Sequence, residues 1–411
     1  MLFLRVPCLL LLSSAVLSAG ERDAVAIDRI LRLRHLPHDT VLDPVLGAGR
    51  QPVSYTRCGD SAIWTGHYLA AEAYQFAVTG SPRALDGARI ALTGLTRLAD
   101  VTGRDLLARC AVPGDAPWAG DIMSEENANG VYQATLDGRG WVWIGNTSRD
   151  QYLGVFFGLA TAYDLIPDGT LRAGMAALAT RLLDALIAAS WNIVMPDGSI
   201  GTTFLLRPDQ ELTLLQIGQH LNPAKFAGEY SRLAGALAIG APVPVLVDAS
   251  DDRSSYFKFN LDFISLFSLI RLETNAASKA IYEAAFRTIR STTDNHLNPH
   301  FNMIDRALHG PNAARDAETR ADLDAWLKHP RLDVFVDWRG KVKACSADQA
   351  CDPIPVEQRP PADFLWQSSP FLLYGGQKGN IESPGIDYLL PYWMARYYGV
   401  VNADFQPPGR R

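Results

Sequence analysis

Polar residues recur at the starts of segments that otherwise read as apolar helices: Asp60, Arg149 with Asp150, Asn260 with Asp262, and Asp387. Two carboxylates held across a cleft divide the cleavage of a glycosidic bond. One donates a proton to the leaving oxygen, and the other activates water or attacks carbon. Asp60 and Asp150 form the first such pair, because each opens a strongly patterned helix. Each also suits a plainer role, Asp60 as a helix cap and Asp150 as an acidic group on the helix dipole after Ser148. His67 follows Asp60 on nearly the same helical face, two turns along. It fits a proton shuttle, a sugar contact or a hydrogen-bonded core histidine. Arg149 has the fork geometry to bind a carboxylated sugar, or to form a surface ion pair.

A second cluster runs from Asn295 to Asn302 and holds His296, Asn298 and His300. In a lyase, His296 or His300 with Tyr256 and Asn260 would neutralise a uronate carboxylate and remove its α-proton; the Asn and Pro content equally reads as a loop. Trp64, Trp143 and Trp366 offer flat faces on which a pyranose ring stacks, with Asn260, Asp387 and Arg149 as polar contacts. No GxSxG elbow, HExxH helix or phosphate-binding glycine loop occurs. Asp248-Ala-Ser-Asp-Asp252 begins like a calcium loop but lacks its central glycine and closing glutamate. Neither a metal nor a cofactor is expected.

Several elements must position these residues. Ser61 to Val78 reads as a helix stopped by Thr79-Gly80, and Ser81-Pro82 starts a second one running to about Val101. The same rhythm predicts Arg149–Leu165 with Leu171–Ala189, Asp209–His220 with Pro223–Ile239, and Tyr256–Glu273 with Ala276–Ser291. Single helices follow at Ile386–Tyr398 and, more weakly patterned, at Asp23–Leu33 and Glu318–Lys328. The first member of a pair is apolar nearly all round and the second amphipathic, as an inner and an outer helix would be. Gly130 to Ile144 reads as a β-hairpin around Asp137-Gly138, and Ser199–Leu206 as a short strand.

Met1 to Gly20 has the Arg5 start, apolar stretch and small-residue end of a secretory signal peptide, so a secreted or periplasmic location is expected. Beyond it stand Cys58, Cys110, Cys345 and Cys351, an even number that suits disulfides. Cys58 with Cys110 and Cys345 with Cys351 is the favoured pairing of the three available.

Gly59-Asp60-Ser-Ala-Ile-Trp64-Thr-Gly-His67-Tyr-Leu-Ala-Ala-Glu72, then Thr79-Gly80 and a second helix, resembles the first hairpin of the (α/α)6 toroid enzymes. These include glycoside hydrolases, polysaccharide lyases and sugar epimerases. The resemblance implies an all-α ring of helical hairpins over residues 60–400, with small β-hairpin insertions and a cleft at one end. It implies a single domain over 21–411 and an oligosaccharide or polysaccharide substrate. A non-catalytic glycan-binding toroid and non-sugar chemistry such as terpene conversion are further outcomes on the same ring. The composition fits a folded chain: 411 residues, 48% hydrophobic and 20% charged. A formal charge of -6 argues against a nucleic-acid partner, and the only long apolar run is the leader, so no membrane span is expected beyond it.

Overall fold

Helix boundaries follow the punctuation of the sequence. The computed structural model describes residues 19–403. Of the proposed leader, only Ala19 and Gly20 fall among them, where they open the first helix. In chain order the helices are α1 (Ala19–Arg34), α2 (Ser61–Thr79), α3 (Pro82–Asp100), α4 (Ala119–Glu125), α5 (Arg149–Leu165), α6 (Gly169–Ala188), α7 (Pro208–Leu221), α8 (Pro223–Leu237), α9 (Pro242–Ala249), α10 (Phe257–Leu272), α11 (Ala276–Thr292), α12 (Pro299–His309), α13 (Ala313–Trp326) and α14 (Ile386–Tyr397). The strands are β1 (Asp43–Leu46), β2 (Pro52–Thr56), β3 (Cys110–Pro113), β4 (Val131–Leu136), β5 (Arg139–Ile144), β6 (Asn192–Val194), β7 (Ile200–Thr203), β8 (Leu332–Asp337) and β9 (Tyr374–Glu382). The described chain is thus mostly helical, with small antiparallel sheets.

Local chemistry explains these limits. Gly80 adopts a left-handed φ of 62° and its N–H closes α2 on the Phe76 carbonyl. Proline occupies the first turn of α3, α7, α8, α9 and α12, where a missing N–H costs nothing. Asp168, Asn275, Asn298 and Asn312 accept first-turn N–H groups of α6, α11, α12 and α13. Asp137 and Gly138, both at positive φ, turn β4 into β5.

Consecutive helices pack as pairs: α2 with α3, α5 with α6, α7 with α8, α10 with α11 and α12 with α13. Across pairs, α2 packs on α5, α5 on α7, α7 on α10, α10 on α12, α12 on α14 and α14 on α2. The α2–α5 contact is the most intimate. A Cβ on Gly66 would lie 2.2 Å from the Gly154 carbonyl oxygen, and one on Gly158 would lie 2.2 Å from that of Gly66. Only glycine permits this approach. One hydrophobic cluster runs from Ala24 to Val401.

Both expected disulfides form, Cys58–Cys110 and Cys345–Cys351. Among the described residues no single helix is long and apolar enough to cross a membrane. Two expectations need correction. The Asn295–Asn302 stretch is not a plain loop, because Asn298 caps α12 through the Phe301 N–H. A four-stranded antiparallel sheet, ordered β2-β1-β9-β8, was not anticipated. β1 has only four residues, and β9 carries three glycines and a lysine, so neither alternates cleanly.

Candidate functional site

The start of α2 gathers most of the polar chemistry. A tight turn, Cys58-Gly59-Asp60, leads into it, and the Cys58–Cys110 disulfide fastens that turn to β3. Arg109 precedes Cys110, so the same bond brings its guanidinium alongside. Arg109 Nη1 donates to the Gly59 carbonyl at 3.0 Å, Nε donates to that of Asn146 at 3.1 Å, and Nη1 lies 3.8 Å from Asp60. Asp60 makes no capping hydrogen bond to α2. Instead Gln151 of α5 bridges the two helix starts, accepting the Ile63 N–H at 2.9 Å and donating Nε2–H to Asp60 Oδ1 at 2.9 Å. Glu126 accepts the Gly59 N–H at 2.7 Å and the Asn129 amide at 2.7 Å.

The remaining wall comes from far along the chain. Asp363 lies in the long segment between β8 and β9. Its Oδ2 accepts the Trp64 indole N–H at 2.9 Å and its Oδ1 accepts the Phe364 N–H at 3.0 Å. Arg57, Asp60, Arg109, Glu126, Asn129 and Asp363 face a cavity of about 400 Å³.

Asp60 keeps 37% of its side-chain surface accessible, so solvent and ligand reach it. The protein packed around the rest of the side chain still shapes the carboxyl's electrostatics. Burial, then the negative charges of Asp363 and Asp150, push its pKa up to about 7, against the pull of Arg109 and the Gln151 hydrogen bond. Burial also raises Asp363 above the ordinary carboxylate range, while Arg57 and the Trp64 and Phe364 N–H groups draw it back. A proton is therefore available on Asp60 at neutral pH, within reach of a ligand. Such perturbed carboxyls in a cleft are the usual mark of acid–base work.

The other expected residues are placed differently. Asp150 stands next to Gln151, accepts that residue's N–H at 3.0 Å, and is close enough for its charge to act on Asp60. His67 is fully buried, donates Nδ1–H to the Ile63 carbonyl at 2.9 Å and is kept neutral by burial, with a pKa lowered to about 4. It sits between Trp64, Phe157, Phe364 and His300, with Asn260 at 3.5 Å, in the core and not on the cavity wall. The three tryptophans do not present open faces. Trp64 stacks on Phe364, Trp143 stacks on Tyr132, and Trp366 is fully buried with its indole N–H on the Asp387 carbonyl. Asp387 is likewise interior, accepting the Leu365 N–H at 3.2 Å, and Asn260 is fully buried. Arg149 donates to the Thr203 carbonyl at 2.9 Å, away from the cavity. Among the described residues no cluster of three or more His, Cys, Asp or Glu is placed to hold a metal ion.

Sequence reasoning missed Asp363, Glu126, Gln151, Arg57 and Arg109. Gln151 and Arg109 adjoin residues it did single out, Asp150 and Cys110. No protein-family model matches the chain, and no curated protein matches it.

Proposed function

We propose that this chain is an exported enzyme hydrolysing a glycosidic bond of an oligosaccharide or polysaccharide on an (α/α)6 toroid. In this reading α2, α5, α7, α10, α12 and α14 form the inner ring, and α3, α6, α8, α11, α13 and α1 lie outside it. The succession of inner contacts supports it, since each of the six packs on the next and α14 returns to α2. The two disulfides favour an oxidising compartment. One observation carries the activity: a solvent-reached carboxyl, Asp60, that retains its proton to about pH 7 beside further carboxylates in one cavity. Asp60 acts as the general acid toward the leaving oxygen. Hydrolysis also needs a carboxylate to activate water, and Asp150, on the helix packed against α2, is the partner that sequence reasoning supplied.

The test is a glycan panel run with wild type, Asp60→Asn and Asp150→Asn. Asp60→Asn is expected to lose about 10²-fold or more of the turnover; equal activity in all three proteins rejects the assignment. A lyase reading has one observation in its favour, the 2.9 Å contact between Tyr256 Oη and His296 Nδ1. Against it, burial pushes the Tyr256 hydroxyl up, away from a base poised near neutral pH, and Asn260 groups with His67 instead. Ultraviolet-absorbing unsaturated products, abolished by Tyr256→Phe, would select the lyase.

A further inference from the structure

We propose that Asp363, rather than Asp150, is the carboxylate that activates water in the Asp60 cavity. This inference rests on the hydrolytic reading above and assigns its second catalytic residue.

Geometry carries it. Asp60 and Asp363 face the same cavity from separate parts of the chain, one at the start of α2 and the other on the segment between β8 and β9. A ligand in that space meets both. Asp150 is not on the wall of that cavity; it accepts the N–H of Gln151 at the start of α5. Asp363 is also held in a fixed attitude. The Trp64 indole grips Oδ2 and the Phe364 N–H grips Oδ1, and each carboxylate oxygen keeps a second lone pair for a water proton. Trp64 is thus a positioning residue, itself fixed by stacking on Phe364 at a centroid distance of 4.7 Å.

Burial raises both carboxyls, but Asp363 alone has Arg57 and two N–H donors drawing it back toward the anion, and its charge is the largest electrostatic cause of proton retention on Asp60. In the step itself, the water oxygen bonds to the anomeric carbon while the carbon–oxygen bond to the leaving group breaks. The electron pair stays on the leaving oxygen, which takes the Asp60 proton. The proton lost by water goes to Asp363. One water is consumed, and release of the Asp363 proton with reprotonation of Asp60 by solvent restores the starting state.

Chemical rescue separates the two candidates. Asp363→Ala and Asp150→Ala are assayed on the best substrate of the panel, with and without sodium azide, beside Asp363→Asn as the isosteric control for folding. Thermal melting is recorded for each. The expected result is a loss of about 10²–10⁴-fold in Asp363→Ala and Asp363→Asn. Azide should restore turnover of Asp363→Ala with formation of a glycosyl azide, and should leave Asp150→Ala unchanged. Rescue of Asp150→Ala alone, or near-wild-type turnover of folded Asp363→Asn, overturns the inference and leaves the hydrolytic reading standing. A wild type that releases no product from any glycan overturns both.

Discussion

Two groups of carboxylates in this protein differ in what they face: one closes on a guanidinium, and the other lines a cavity. Around Arg207, Asp209 at 2.8 Å, Asp248 at 2.9 Å and Asp262 at 3.1 Å close on a single guanidinium. Asp209 and Asp262 are then 1% and 0% exposed. Around Asp60, the nearest cation stands off at 3.8 Å, and Arg57 is engaged by Asp43 at 2.8 Å. The charges there are under-compensated, the proton stays, and a cavity remains open. A helix start is shared by Asp209 and Asp60, while Asp248 lies at the end of α9 and Asp262 in the second turn of α10. Burial raises carboxyl pKa values in both groups, Asp209 and Asp262 included; contact with a cation closes the Arg207 group into a staple, whereas Asp60 holds its proton where solvent reaches it.

Removing the staple's cation is expected to have the largest effect. Arg207→Met leaves Asp209 and Asp262 buried without a partner, which should cost about 3–5 kcal/mol in denaturant unfolding. A loss below about 1 kcal/mol would mean that Arg207 does not staple these carboxyls and that the contrast is unfounded. Asp60→Asn should do the reverse: turnover falls by about 10²–10⁴-fold while the melting temperature holds or rises, because an amide needs no charge compensation. In the wild type, kcat/KM should decline above about pH 7, as the acid loses its proton. An Asp60→Asn protein that unfolds as readily as Arg207→Met would make the two groups alike.

The contrast was only half legible in the sequence. Arg149–Leu165 is readable residue for residue, because Ser148 and Pro167 bracket an unbroken apolar stretch. Asp60 is readable for the same reason, as the last charged residue before such a stretch. Asp363 is not. It follows Pro360-Pro361-Ala362 with no periodic neighbour, and Trp64, which holds it, lies 299 positions away. Tryptophan type was equally uninformative about exposure: Trp64, Trp143 and Trp366 are all within 3% of complete burial. Residue type names a possible chemistry, but only the packing decides which face is left open.

The α2–α5 crossing sharpens the comparison at smaller cost, because it brings Gln151 to Asp60. Gly66→Ala places a methyl 2.2 Å from the Gly154 carbonyl oxygen, which is backbone and cannot swing aside. The helices must part, at about 1–3 kcal/mol of stability, and the Gln151–Asp60 hydrogen bond lengthens with them. Turnover should fall together with stability in this variant, whereas an alanine at exposed Gly228 inside α8, which meets nothing, should leave turnover unchanged and raise stability by about 0.5–1 kcal/mol. Equal melting temperatures for the two alanine variants would remove the close approach as a constraint on the site.

The smallest effect is a pH dependence of stability, and it tests the Asp60 proton directly. An ordinary aspartate ionises near ~3.9, while folded Asp60 holds its proton to about 7. Between those values the native state binds the extra proton, so this residue's contribution to stability falls as pH rises through the window and levels off above it. Glu211, Asp322 and Asp387, each also raised to about 7 by burial, slope the same way, as do Asp209 and Asp262, raised by burial despite Arg207. Only the difference between wild type and Asp60→Asn isolates Asp60. Because more than a third of its side chain meets solvent, screening should hold that difference to about 1 kcal/mol or less. Unfolding midpoints taken across this window should show wild type losing stability relative to Asp60→Asn as pH rises. A difference that is flat, or that grows in wild type's favour, would mean that the Asp60 carboxylate is charge-compensated in the fold, and the proton assigned to it would have to sit elsewhere.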